Sequence, residues 1–187
     1  MRIVAGRFRG AALATPKGHA IRPTSDRVRE ALFNILSHGI GAEIEGARVL
    51  DLFAGTGALG FEALSRGAAF ALFVEDNAEA RALIRRNSDA LGVMGDTRIY
   101  RRDATKLGDA GTLAPFGLVF ADPPYGKGLG EKALAAAAAG GWLRPHALAV
   151  LEERTQAVFA PPSSFDLLDR RTYGGTAIYF MRAHGEL

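Results

Sequence analysis

Val49-Leu50-Asp51-Leu52-Phe53 runs without interruption into Ala54-Gly55-Thr56-Gly57-Ala58-Leu59-Gly60, and then into the helix-forming stretch FEALSRG at 61–67. An apolar strand, a glycine-rich turn and a helix in that order make the first half of a βαβ unit, whose turn can bring a ligand against backbone amides and the helix N-terminus. Glu75 ends the next apolar run roughly twenty residues past Gly55, where a carboxylate can accept the hydroxyl hydrogens of a ribose. Glycines and acid alone fit a dinucleotide as well as S-adenosylmethionine. Asp51 tips the balance. A carboxylate beside the turn favours a cationic amino-acid ammonium and repels a pyrophosphate, although it could equally be a residue that only caps the turn.

Outward from this unit, apolar runs alternate with helical stretches: ALFVE at 71–75, TRIYR at 97–101, LVFAD at 118–122 and ALAVLEE at 147–153. That alternation predicts parallel strands with crossover connections, mostly helical. The segment FDLLDRRTYGGTAIYFM at 165–181 holds two strand-like runs around Tyr173-Gly174-Gly175, which predicts an antiparallel hairpin and one reversed strand at the end of the sheet. The alanine-rich stretch at 132–141 reads as a helix stopped by Gly140-Gly141. The fold class expected is α/β, a Rossmann-like, mostly parallel sheet with helices on both faces.

Residues 1–24 are too rich in glycine and proline for a long helix and read as a basic extension built of short strands or a hairpin, an appendage to the core at 48–182. A capped helix at 25–40 joins the two: Val28, Ala31, Leu32, Ile35 and Leu36 recur at helical spacing after Ser25, until Gly39 and Gly41. With 187 residues the chain fits a single domain, expected to be monomeric. Hydrophobic residues at 48% and charged residues at 23% suit a globular core and argue against wholesale disorder. The absence of cysteine excludes disulfides and thiolate metal sites, and four scattered histidines make no metal constellation. Without a signal-peptide pattern or a membrane-length apolar run, a cytoplasmic location is the default expectation. The net charge of +3 is unevenly spread: residues 1–30 hold seven basic and two acidic side chains, and the remainder is slightly acidic. Such a basic segment is either a polyanion contact or a solvated arm.

Asp122-Pro123-Pro124-Tyr125, after the apolar Leu118-Val119-Phe120-Ala121, is the segment that chooses the chemistry. Two prolines stiffen the turn, so it can present oxygen acceptors in a fixed direction. The Asp122 carboxylate and the Pro123 carbonyl could each accept a hydrogen from a base amino group, turning its lone pair toward an incoming methyl, while Tyr125 stacks on the base. Pro-Pro and Asp also form ordinary turns, and that reading stands beside the chemical one. Asp103, ending RIYRRD, can bind an adenine amino group or serve as a simple strand-end cap.

These two motifs in this order resemble the amino-methyltransferases of the class I Rossmann-like superfamily. Arg22-Pro23-Thr24-Ser25-Asp26-Arg27-Val28-Arg29-Glu30-Ala31-Leu32-Phe33-Asn34-Ile35-Leu36, with Arg2-Ile3-Val4-Ala5-Gly6, Arg9-Gly10 and Tyr173-Gly174-Gly175-Thr176, is similar to the bacterial 16S rRNA (guanine(966)-N(2))-methyltransferase family over almost the whole chain. The resemblance implies a seven-stranded sheet with an antiparallel last strand, S-adenosylmethionine as cofactor, and a guanosine of 16S rRNA in an assembling 30S subunit as substrate. It implies that Asp51, Phe53, Gly55, Gly57, Glu75, Asp103 and Asp122 line the cofactor site and that Asp122, Pro123 and Tyr125 hold the target base. Arg7, Arg9 and Arg22 would meet RNA phosphates, and Arg22, Thr24, Ser25, Asp26 and Arg29 would shape the substrate entrance or the cofactor's cover. Without the resemblance, residues 22–29 read as a capped helix whose arginines are solvated or paired with Asp26 and Glu30. Two positions depart from the family pattern, Ala11-Ala12 where basic side chains are usual and Asn77 where an acid is common. Competing readings are amino-methylation of DNA adenine or cytosine or of another RNA, a nicotinamide-dependent oxidoreductase, for which Asp122-Pro123-Pro124-Tyr125 would be idle, and a non-catalytic RNA-binding assembly factor.

Overall fold

The structure, a computed structural model, describes residues 1–17 and 25–185. Its centre is one seven-stranded sheet of order β3-β2-β1-β4-β5-β7-β6. The strands are β1 (Arg48–Leu52), β2 (Phe70–Val74), β3 (Thr97–Tyr100), β4 (Phe116–Ala121), β5 (Leu143–Arg154), β6 (Phe165–Tyr173) and β7 (Thr176–Ala183). The first five pair in parallel, and β7 runs antiparallel to both β5 and β6, as the hairpin reading requires.

The strands alternate their side chains between two apolar layers, which is why they read as near-continuous hydrophobic runs. Leu50, Leu72, Val119 and Ala121 face one layer, covered by α4 (Leu129–Ala139) through Ala133, Leu134 and Ala137. Val49, Phe73, Leu118 and Phe120 face the other, covered by α1 (Asp26–Asn34), α2 (Ala58–Ser65) and α3 (Ala78–Ala90). Ser25 caps α1 by accepting the Val28 amide at 3.2 Å, and the helix runs on as a π-helical turn over Ile35–Ile40 that ends at a left-handed Gly41. The stretch between β3 and β4 forms no α-helix. Gly108, Gly111 and Pro115 interrupt it, leaving a 3-10 turn at Ala104–Lys106 and a loop fastened by the Trp142 indole N–H on the Gly108 carbonyl at 2.8 Å.

The N-terminal segment departs from the expected appendage. It is a hairpin, with Ile3 N–H on the Ala11 carbonyl and an antiparallel bridge between Arg2 and Ala12, and it buries Ile3 and Leu13 in the same layer as α1 and α2. Only these two of its described residues are buried, too few to show as a strand pattern, and polar contacts described below hold the rest.

Candidate active site

Because β2 and β3 lie on one side of β1 and β4 lies on the other, the chain reverses its winding between β1 and β4. Parallel α/β sheets bind ligands in the crevice at such a switch point, outside the carboxyl ends of the strands. Here Leu52 of β1 pairs with Val74 of β2 and with Ala121 of β4, so the glycine-rich turn, Glu75 and Asp122 leave the sheet side by side. Each of the five parallel strands delivers a carboxylate at or near this edge. In spatial order they are Asp103, Glu75, Asp51, Asp122 and Glu152.

Phe53 turns the chain out of β1 with φ of 56°, a left-handed conformation unusual for a bulky residue and of the kind that concentrates at functional sites. Gly55 follows, also left-handed, and donates its amide to the Glu75 carboxylate at 2.8 Å; the other Glu75 oxygen accepts from the Asn77 amide at 2.8 Å. Gly57 is the left-handed N-cap of α2 and offers no capping side chain. Asp51 supplies the missing cap, accepting the Gly60 amide at 3.0 Å from below. A Cβ on Gly60 would lie 2.4 Å from the Phe73 ring and 3.2 Å from Asp51 Oδ2, so glycine is what lets the helix approach the sheet this closely.

Asp51 is 1% exposed, and burial raises its pKa to about 8, against the Gly60 hydrogen bond that lowers it and with Glu75 adding repulsion. Neither Asp51 nor Glu75 makes an ion pair among the described residues. With no cation beside it among these residues, burial holds Asp51 protonated; a positively charged amino-acid ligand carrying a ribose would let it ionise, whereas a pyrophosphate would keep it protonated and meet the Glu75 carboxylate. Asp103 is exposed and its Oδ1 accepts both the amide and the hydroxyl of Thr105, which hold its carboxyl below the usual range. Of its two readings, the structure displays the cap.

Across the switch point, Pro123 is buried and Asp122 is partly buried, with the Asp122 amide 3.5 Å from the Leu52 carbonyl. Tyr125 points its hydroxyl to the Glu152 carboxylate, and Asp122 is near enough to add to the upward push that burial and Glu152 exert on the phenol's pKa.

The expected RNA contacts divide. Arg7 and Arg9 are exposed on the N-terminal hairpin, Arg7 lying over the Phe8 ring and 3.9 Å from Asp96. Ser25 is exposed and caps α1. Arg22 and Thr24 lie outside the described residues. Arg29 corrects the expectation: it is fully buried, with its guanidinium on Glu62 at 3.3 Å, on Asp26 at 2.9 Å and on the Arg2 carbonyl, so it is an internal tie and offers RNA no surface. Asn77, noted as a departure, caps α3 by accepting the Ala80 amide at 2.9 Å, which an acid would also do.

Three residues escaped the sequence reading. Glu62, fully buried, accepts the Val4 and Ala5 amides and the side chains of Arg29 and Arg66. Asn87 of α3 bonds both the Ala14 backbone and the Thr56 carbonyl, tying the hairpin to the glycine-rich turn. Glu152 meets Tyr125. The available signal was a lone charge in an apolar context: Glu62 in an otherwise apolar α2, and Glu152-Glu153 at the end of an apolar strand.

Residues 1–182 match the family model described as Conserved hypothetical protein 95. The chain is 39% identical to the ribosomal RNA small subunit methyltransferase D of Escherichia coli strain K12, over all of this chain and 92% of that protein. The enzyme of the same name from Haemophilus influenzae is 34% identical, over 93% of this chain and 89% of its own length. The solved structure of Escherichia coli YhhF superposes with a TM-score of 0.83 at 34% identity, covering 99% of this chain and 98% of that one. A Thermus thermophilus 16S rRNA N2 G1207 methyltransferase, solved with AdoMet and guanosine, shares the fold at a TM-score of 0.66 and 22% identity, over 86% of this chain and 44% of that one. This chain belongs to the Conserved hypothetical protein 95 family, alongside the ribosomal RNA small subunit methyltransferases D.

Proposed function

We propose that the protein transfers the methyl group of S-adenosylmethionine to the exocyclic N2 amino group of a guanosine in small-subunit ribosomal RNA, acting as a monomer on an assembling 30S particle. One observation carries the reading: the turn floored by Asp51 and Glu75 and the Asp122-Pro123-Pro124-Tyr125 loop leave adjacent, paired strands, so a cofactor in the first and a base in the second would meet at the switch point. The small-subunit rRNA activity in the names of the full-length relatives supports the choice of substrate.

When bound, S-adenosylmethionine supplies an electrophilic methyl on sulfur. Glu75 would take the ribose hydroxyls, Asp51 would face the ammonium, and Asp103 has a second carboxylate oxygen for the adenine amine. The amine of guanine is a weak nucleophile because its lone pair is delocalised into the ring, so orientation matters more than a strong base. Asp122 and the Pro123 carbonyl would accept hydrogen bonds from its two N–H groups, aim the lone pair and stabilise the positive charge that grows on nitrogen, which then loses one proton to Asp122 or to solvent. Tyr125 would stack on the base after it leaves its helix. Arg7 and Arg9 would meet phosphates of the surrounding RNA.

Asp122→Ala tests this division of labour. Methyl transfer is expected to fall by roughly 100-fold or more, as for loss of a preorganised charge-stabilising group, with S-adenosylmethionine still binding in a calorimetric titration. Full activity in the variant would remove Asp122 from the chemistry.

A further inference from the structure

The loop that begins at Asp122 is gripped from β5. Glu152 and Glu153 are 6% and 2% exposed, consecutive carboxylates buried at a strand end. Consecutive strand residues point to opposite faces, and the two take hold of successive loop residues. Glu152 Oε1 accepts the Tyr125 hydroxyl, which also lies 3.5 Å from Thr176 Oγ1, and Glu153 Oε1 accepts the Gly126 amide at 2.8 Å. Stacking on a base requires only an aromatic face, which phenylalanine would provide. A buried carboxylate spent on the far end of that ring is a cost that stacking alone does not explain.

We propose that Glu152, seconded by Thr176, is a positioning residue for methyl transfer, one that fixes the plane of the Tyr125 ring against the target base and makes its face more electron-rich. The proposal rests on the reading of Tyr125 as the base platform. A phenol donating to a carboxylate carries more negative charge on its oxygen and ring, and a more negative ring favours a neighbour on which positive charge is growing. The base amine gains that charge only as the methyl arrives, so the benefit falls on turnover more than on binding. Burial and the Glu152 carboxylate both push the phenol's pKa up, so Tyr125 keeps its proton and works through its face and its fixed orientation.

A double-mutant cycle tests this on undermethylated small subunits, using wild type, Tyr125→Phe, Glu152→Gln and the pair, with Tyr125→Ala as control. Each single variant of the cycle should lower kcat by about three- to tenfold, the net scale of one ordinary hydrogen bond. KM for S-adenosylmethionine should stay at the wild-type value, and the double variant should be no worse than either single one. Equal losses from Glu152→Gln in the Tyr and Phe backgrounds, or no loss while Tyr125→Phe is impaired, would overturn the clamp. Wild-type activity in Tyr125→Ala would instead remove the platform reading itself, and the proposal with it. Should Glu152→Gln fail to fold, the cycle of Tyr125→Phe with Thr176→Val decides by the same criterion.

Discussion

The glycine-rich turn and the N-terminal hairpin are held at the two ends of the same short helix, by opposite means. At its start, α2 receives the turn through contacts within ten residues, with Gly57 as the N-cap and the Asp51 carboxylate on the Gly60 amide. Toward its end, Glu62 and Ser65 hold the backbone of Val4, Ala5, Arg7 and Phe8, across 57 to 58 residues of chain. Eight residues of helix span about 12 Å. The turn is therefore a local structure, and the hairpin is a long-range one pinned by buried charge. Asn87 joins them a second time, through Thr56 and Ala14.

Glu62→Ala breaks the long-range half and should have the largest effect. It takes from the buried Arg29 and from Arg66 a shared carboxylate and releases the Val4 and Ala5 amides, which costs on the order of 3–5 kcal/mol; urea unfolding measures this. Gly60→Ala attacks the local half. Its Cβ would press on the Phe73 ring, a strain of about 1–3 kcal/mol, and the loss should appear also as weaker S-adenosylmethionine binding. If Gly60→Ala unfolds the protein more readily than Glu62→Ala, the contrast between the two ends is wrong.

A smaller effect separates the turn by pH. Folded Asp51 keeps its proton to about pH 8, whereas in the unfolded chain it loses it near 3.8. The folded state then binds the extra proton between these values, so this group's contribution to stability declines as pH rises from about 4 to 8 and levels off above. Asp51→Asn should flatten that part of a profile of thermal midpoint against pH, and an unaltered slope would locate the titration elsewhere. On the hairpin, Arg7→Ala with Arg9→Ala should leave folding unchanged and reduce the slope of log affinity for rRNA against log salt by roughly one to two. A filter-binding titration with the wild-type slope would take the hairpin off the RNA.

The same contrast explains what the sequence shows and what it conceals. The strand, turn and acid of 49–75 and the proline turn at 122–125 are contiguous signals, and each lands where its local chemistry places it. The N-terminal segment was legible as short strands or a hairpin, but its incorporation into the core was not, because it depends on partners such as Glu62 and Asn87 far along the chain. Arg29 illustrates the error best. Among basic neighbours it reads as part of a substrate entrance, and only the fold reveals the buried Glu62 carboxylate that claims it. Tyr125 was legible as a candidate aromatic platform, while its partner on β5 needed the sheet order to come into view.

The most direct measurement is transfer of labelled methyl from S-adenosylmethionine to undermethylated 30S particles, free 16S rRNA and DNA in parallel, with nucleoside analysis of the products and Asp122→Ala as control. N2-methylguanosine in ribosomal RNA, lost in the variant, is the expected result. Label in DNA, label on another nucleoside, or no transfer to any of the three would contradict it.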